Sequence, residues 1–232
     1  RVTGVQTCAL RSVKVDPENR NNKISEEYGI RAWTKFTFPG RKNKYSEFKW
    51  GYEDFSAVDW DENKKEKAIF KFTGLGNEWD KGVDSENGNY DYLMFADIDV
   101  TSPEVYEELL KWGLWYNDMT NFDGFRLDAV KHIDFEFFNK WINDMRTITK
   151  KELFTVGEYW HADTNVLKKY VEETSHAFNI FDVPLHYNFA LASNKKADYD
   201  LRGLMENTLI NCYPENSVTF VDNHDTDRKS VV

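Results

Sequence analysis

Cysteine is almost missing from this chain. Of 232 residues only Cys8 and Cys212 carry a thiol. They lie far apart, with no CxxC pair and no histidine cluster, so neither a zinc site nor a disulfide framework has the residues it needs. Long apolar runs are missing too: nothing approaches the ~18 residues of a membrane-spanning helix. No segment reads as a secretory leader, but the chain starts at an arginine, and its first residue says nothing about what precedes it. Basic charge is scarce. Thirty Lys and Arg face forty Asp and Glu, a net charge of −10, which is the wrong sign for a nucleic-acid partner and suits an uncharged substrate or a bound cation.

Aromatic residues are plentiful. Eight Trp, 12 Tyr and 17 Phe make up 16% of the chain, enough for a dense core or a sugar-stacking surface. The length suits one large α/β domain or two small ones. From about 13 to 100 the chain is rich in Asn, Gly, aromatic and charged positions, with short stretches such as RAWTKFTFPG and KAIFKFTG and little helical periodicity. This half reads as irregular, with short strands and long loops.

The pattern changes at Ser102. Ser102 is placed to cap a helix with Pro103 at its first position, and Val105, Leu109, Trp112, Tyr116 and Met119 recur at helical spacing. Strand and helix then alternate: FDGFRLDAV (122–130), a helix from about Asp134 with Phe135, Phe138, Ile142 and Met145 on one side, ELFTVGEY (152–159), a helix near 164–173, NIFDVPL (179–185), a helix near 200–210, and SVTFVDNHD (217–225). Such alternation predicts parallel βα units. Three of the four strands end in a carboxylate, Asp128, Glu158 and Asp225, and strand C-termini are where barrels and doubly wound sheets alike build their sites.

Arg126 and Asp128, two apart, share one face of a strand, and the guanidinium favours an ionised Asp128. Glu158, beside Tyr159 and Trp160, is expected in an aromatic wall that keeps it able to donate a proton. One charged and one protonated carboxylate is the pair that glycosidic-bond cleavage needs. Asp225 follows Asn223 on the predicted strand face, with His224 between them. Each motif alone has a plainer reading, as a strand-stapling ion pair or an ordinary loop; their order at successive strand ends weakens it.

On these residues the sequence resembles the α-amylase family of glycoside hydrolases, of the bacterial liquefying type. GFRLDAVKH, VGEYW and FVDNHD match three of its signature segments in order, LMFADID matches another, and AWTKFTFPGR, SENGNYDYLMFADID and FDVPLHY extend the likeness over nearly all of 13–226. The resemblance implies an endo-acting, retaining hydrolase of α-1,4-glucosidic bonds in starch or maltooligosaccharides, with Asp128 as nucleophile, Glu158 as general acid/base and Asp225 as transition-state stabiliser. Arg126 and His224 fall at the cleavage subsite, and Lys131, His132 and Trp160 on neighbouring substrate-binding positions. It implies structural Ca2+ held by Asp91, Asp97 and the backbone carbonyl of His132, and a second cation site at Asp80 and Asp99, where Ser56 and Thr101 stand in place of expected acids.

The implied fold is α/β: a partial TIM (β/α)8 barrel of about strands four to seven (104–226), preceded by most of an irregular, β-rich inserted calcium-binding domain (13–103). Residues 1–12 and 227–232 depart from the family pattern and read as foreign, adapter-like sequence. The implied parent is a monomer with no nucleic-acid or membrane partner, secreted or cytoplasmic, and the fragment alone is expected to be inactive. Alternatives are a transglycosylase or maltooligosaccharide-forming relative, and a non-catalytic carbohydrate-binding member.

Overall fold

The computed structural model describes residues 5–74 and 78–226, with side chains from residue 10 onward. The chain forms two compact units, one of residues 1–115 and 132–137, the other of 116–131 and 138–232. The division falls inside a helix, and a short segment after Lys131 belongs to the first unit. The tail at 227–232 lies outside the described residues.

The first unit is built on five antiparallel strands: β1 (Val5–Val15), β2 (Tyr28–Lys35), β3 (Phe55–Asp61), β4 (Glu66–Phe72) and β5 (Ala96–Ile98), in the order β2-β1-β4-β3-β5. Its regularity exceeds the irregular reading of the sequence. In β2 the period of two is plain, with Ile30, Ala32 and Thr34 buried and Arg31 and Trp33 turned out. Residues 5–12, read as foreign, run along β2 from Val5↔Lys35 to Ser12↔Tyr28. Leu10, Ile30, Phe55, Val58, Phe70 and Phe72 form one apolar cluster, and Val13, Val15, Ala57, Trp79 and Tyr92 another. Fully buried side chains such as Ile30 and Phe70 each contribute about 1.5–3 kcal/mol. That exceeds the roughly 0–1 kcal/mol of an exposed ion pair such as Arg11–Glu27, so apolar burial holds this sheet.

Helix α1 (Pro103–Thr120) starts where the cap signal predicts, with the Tyr106 N–H bonded to the Ser102 carbonyl. Its predicted apolar face is only partly buried: Val105 is inaccessible, whereas Trp112, Tyr116 and Met119 are exposed.

The second unit carries four parallel strands, β6 (Gly124–Leu127), β7 (Phe154–Gly157), β8 (Asn179–Phe181) and β9 (Ser217–Val218), in sequence order. Parallel neighbours need long crossovers. Here they contain α2 (Phe135–Thr149), α3 (Thr164–Glu173), and between β8 and β9 both α4 (Val183–Lys195) and the single turn α5 (Leu209–Cys212). Phe138, Ile142 and Met145 of α2 and Leu167 and Val171 of α3 are buried, and Phe178 packs edge-on against Phe138 and Tyr170. Gly157 ends β7 because nothing larger fits: a Cβ there would stand 2.9 Å from the Phe178 ring and 3.1 Å from Val130.

Three elements differ from the sequence reading, and the first is the helix expected near 200–210, which is a 3₁₀ turn at Leu201–Gly203, further turns and then α5. NIFDVPL is a strand only to Phe181. Asp182 then caps α4 by accepting the Leu185 N–H at 3.1 Å, with Pro184 in the first turn, so an apolar run that resembles a strand becomes a helix start. The last strand stops at Val218 instead of reaching Asp225. At the edge of the described sheet β9 has one neighbour, three-residue β8, which supports only the pairs Ile180↔Ser217 and Phe181↔Val218.

Candidate active site

The chain brings two of the three acids together. Asp128 and Glu158 each follow the last residue of adjacent parallel strands, paired as Leu127↔Gly157. Arg126 reaches both: its Nη1 lies 2.7 Å from Asp128 Oδ1, and its Nη2 lies 2.9 Å from Glu158 Oε1. The backbone secures the pair, with the Glu158 N–H donating to the Leu127 carbonyl at 2.8 Å and the Val130 N–H to the Glu158 carbonyl at 3.1 Å. Phe125, on the opposite face of β6, packs edge-on against Trp141 of α2 at 5.4 Å, so alternation sends the apolar side chain to the helix and Arg126 to the acids.

Exposure separates the two carboxylates. The Asp128 side chain is 74% exposed and that of Glu158 11%, so the first is open to a substrate and the second is shielded. The sequence reading assigned the guanidinium to Asp128 alone. A single cation touching both acids does not by itself separate their charge states.

Asp225 sits differently. It lies in an exposed turn, where the Asn223 carboxamide accepts the N–H groups of Asp225 and Thr226, both at 3.0 Å. Asn223 therefore shapes the turn instead of sharing a strand face with Asp225. His224 Nε2 stands 3.4 Å from Asp225 Oδ2, an ion pair when the imidazole is protonated. Among the described residues, the hydrogen bonds and ion pairs of Asp225 run to Asn223 and His224 and to neither other acid.

Two residues beyond Glu158, Trp160 belongs to an aromatic cluster whose role the sequence left unread. Its ring lies 5.7 Å from His186, 6.2 Å from Tyr187 and 6.0 Å from Phe220, and its indole N–H donates to the Tyr187 hydroxyl at 3.0 Å. His186 stacks on Phe220 and bonds through Nδ1 to the Val221 carbonyl at 2.6 Å; a carbonyl only accepts, so Nδ1 carries the proton. The signal was the LHY that follows FDVP. Lys131 Nζ donates to the Trp160 carbonyl at 3.4 Å. His132 belongs to the first unit, where its Nδ1 meets the Tyr90 carbonyl at 2.8 Å.

The expected cation ligands all belong to the first unit. Asp80 and Asp91 are buried and Asp97 partly so. Burial, then the charges of Asp91, Asp134 and Asp99, pushes the Asp80 carboxyl up to about 8. Burial and the charge of Asp97 push Asp91 to about 8 as well. Asp97 rises to about 7, chiefly by burial, with a hydrogen bond from Ser56 opposing. Asp134, which the sequence reading missed, joins this group and also accepts the Gly82 N–H at 3.1 Å.

Buried acids that resist ionisation together are a donor set suited to a hard cation. Among the described residues no three His, Cys, Asp or Glu side chains are grouped closely enough to hold one by themselves, so backbone carbonyls would have to contribute. A hydroxyl bonds one acid of each set: Ser56 donates to Asp97 Oδ2 at 2.5 Å, and Thr101 to Asp99 Oδ1 at 2.6 Å. Each takes up an oxygen that an ion at that set would need.

Known proteins resemble this chain over most of its length. The family profile described as "Alpha amylase, catalytic domain" matches residues 41–232. An alpha-amylase of Geobacillus stearothermophilus is 56% identical over 216 residues, covering 93% of this chain and 39% of the relative. An alpha-amylase of Bacillus licheniformis is 51% identical, covering 94% and 42%. A glucan 1,4-alpha-maltohexaosidase of Bacillus sp. (strain 707) is 49% identical, covering 95% and 43%. The chain thus spans about two fifths of the length of these curated relatives.

Proposed function

Because this chain belongs to the alpha-amylase catalytic-domain family, we propose that the protein carrying it hydrolyses internal α-1,4-glucosidic bonds of starch and related glucans with retention of configuration. The observation that carries this reading is the Arg126 guanidinium held between Asp128 and Glu158 at adjacent parallel strand ends. In the proposed mechanism Asp128, the exposed acid, attacks the anomeric carbon. The C–O bond to the leaving sugar breaks, and its oxygen takes the proton of Glu158. Glu158, now a carboxylate, then takes a proton from water, whose oxygen displaces Asp128 and restores both groups. Asp225 stabilises positive charge developing at the sugar carbon, and Trp160 offers its ring to a glucose face.

The barrel is proposed to be incomplete within this chain, with β6 to β9 as its fourth to seventh strands, so the isolated polypeptide is predicted to lack activity. A structural calcium is proposed at Asp91, Asp97 and the His132 carbonyl, where it would supply the missing counter-charge. Asp80 and Asp99, proposed for a second cation, are the weaker set.

Replacing Asp128 by Asn in the full-length protein is expected to lower starch hydrolysis by about 10³-fold or more, the scale of losing a covalent nucleophile. Retained hydrolysis would overturn the assignment. The maltohexaosidase relative favours one second reading, release of maltooligosaccharides of fixed length. Product analysis on soluble starch separates the two.

A further inference from the structure

Although the chain carries a net charge of −10, the first unit gathers cations around one recess of about 320 Å³. Arg20, Lys23, Lys71 and Lys81 line it, with the amides of Asn21 and Asn89, and among the described residues Glu78 is the one acid in its wall. The volume lies within the about 300–1,000 Å³ of small-molecule sites.

Two of these cations are built in rather than displayed. Lys71 is only 9% exposed and Arg20 only 7%, and a buried charge is costly unless it is paired. Lys71 sits 4.8 Å over the Trp79 ring and 2.9 Å from Glu78, whose side chain is 83% exposed at the rim. Arg20 lies over the Tyr90 ring at 4.2 Å and donates to the Tyr92 carbonyl, but its Nε is buried with no hydrogen-bond partner. Neither of these two contacts is to an acid, though the charge of Asp97 attracts Arg20.

Glu78 marks where a carboxylate settles in this field. Lys71 Nζ lies 2.9 Å from its Oε2, and Lys23 and Lys81 line the same wall. Three lysines therefore share one recess with a single acid among the described residues that line it.

We propose that this recess binds a small polyvalent oxyanion, a phosphate group either free or esterified to a sugar, between Lys71 and the rim lysines Lys23 and Lys81. A phosphate accepts several charge-assisted hydrogen bonds at once and would complete the pairing that Glu78 begins. The site shares no residue with the acids of the proposed hydrolysis and does not depend on that reading.

The test is isothermal titration of the full-length protein with inorganic phosphate and with glucose 6-phosphate, at constant ionic strength, without added calcium, and with glucose as the blank. Saturable binding of at least one is expected, and the tighter of the two identifies the source. Lys23→Gln with Lys81→Gln, both at the rim, should weaken binding tenfold or more. Glu78→Gln, which removes the competing carboxylate, should strengthen it threefold or more, a sign that general screening does not produce. No saturable heat from either ligand, unchanged affinity in the double lysine variant, or weaker binding in Glu78→Gln would each overturn the proposal.

Discussion

Arg126 is the residue on which the proposed chemistry turns, because its two terminal nitrogens divide between Asp128 and Glu158 at 2.7 and 2.9 Å. Only a planar fork spans both carboxylates; an ammonium is a point charge on a flexible stem. Arg126→Lys in the full-length protein is therefore expected to lower kcat about 10²-fold with KM little changed, as fits lost positioning. Steady-state kinetics on a soluble maltooligosaccharide checks it, and near-normal kcat would show that charge alone suffices. The Arg126–Asp128 contact was legible in the sequence, since residues two apart on a strand share a face. The Arg126–Glu158 contact was not, because it depends on which strands lie side by side. Asp225 was read as the end of a strand, but the strand stops at Val218 and Asp225 lies in a turn made by Asn223 capping two N–H groups, which a strand pattern hides.

At the scale of elements, Asp182 joins three of them. Completely inaccessible to solvent, it accepts N–H groups from Leu185 at the start of α4 and from Leu209 and Ile210 of α5, and the hydroxyl of Ser217 on β9. Asp182→Ala would leave these donors buried and unpaired, at a cost of about 2–4 kcal/mol. A matching fall in the urea midpoint tests this; a change below about 0.5 kcal/mol, the level of an ordinary surface substitution, would contradict it. The same residue explains a misread element. Val183, Pro184 and Leu185 look like strand by composition, yet Asp182 followed two residues later by Pro is a helix-start signal. Helix α1 was legible from its cap and periodicity, α2 from its periodicity, and α3 in place. The strands were legible in place but not in length, because pairing partners set strand length.

At the scale of the whole molecule, the acid cluster of the first unit ties stability to pH and to a cation. Asp80, Asp91 and Asp97 have folded-state values raised to about 8, 8 and 7 from an ordinary 3.8. Between those limits the folded chain binds more protons than the unfolded one, so without metal stability should fall as pH rises from about 4 to 8. Calcium competes with those protons, so the thermal midpoint it adds to chelated full-length protein should be larger at pH 8 than at pH 5. An equal gain at both would contradict the proposed ligand set. The burial behind these shifts was not legible: the acids stand out in the sequence, but only the fold crowds them together. The central claim, that Asp128 attacks the sugar, is tested most directly by covalent labelling of the full-length protein. A fluorinated maltosyl fluoride that forms the glycosyl-enzyme faster than water releases it should add one glycosyl group, found by peptide mass spectrometry on Asp128; a label on another residue, or none while starch is still cleaved, would contradict it.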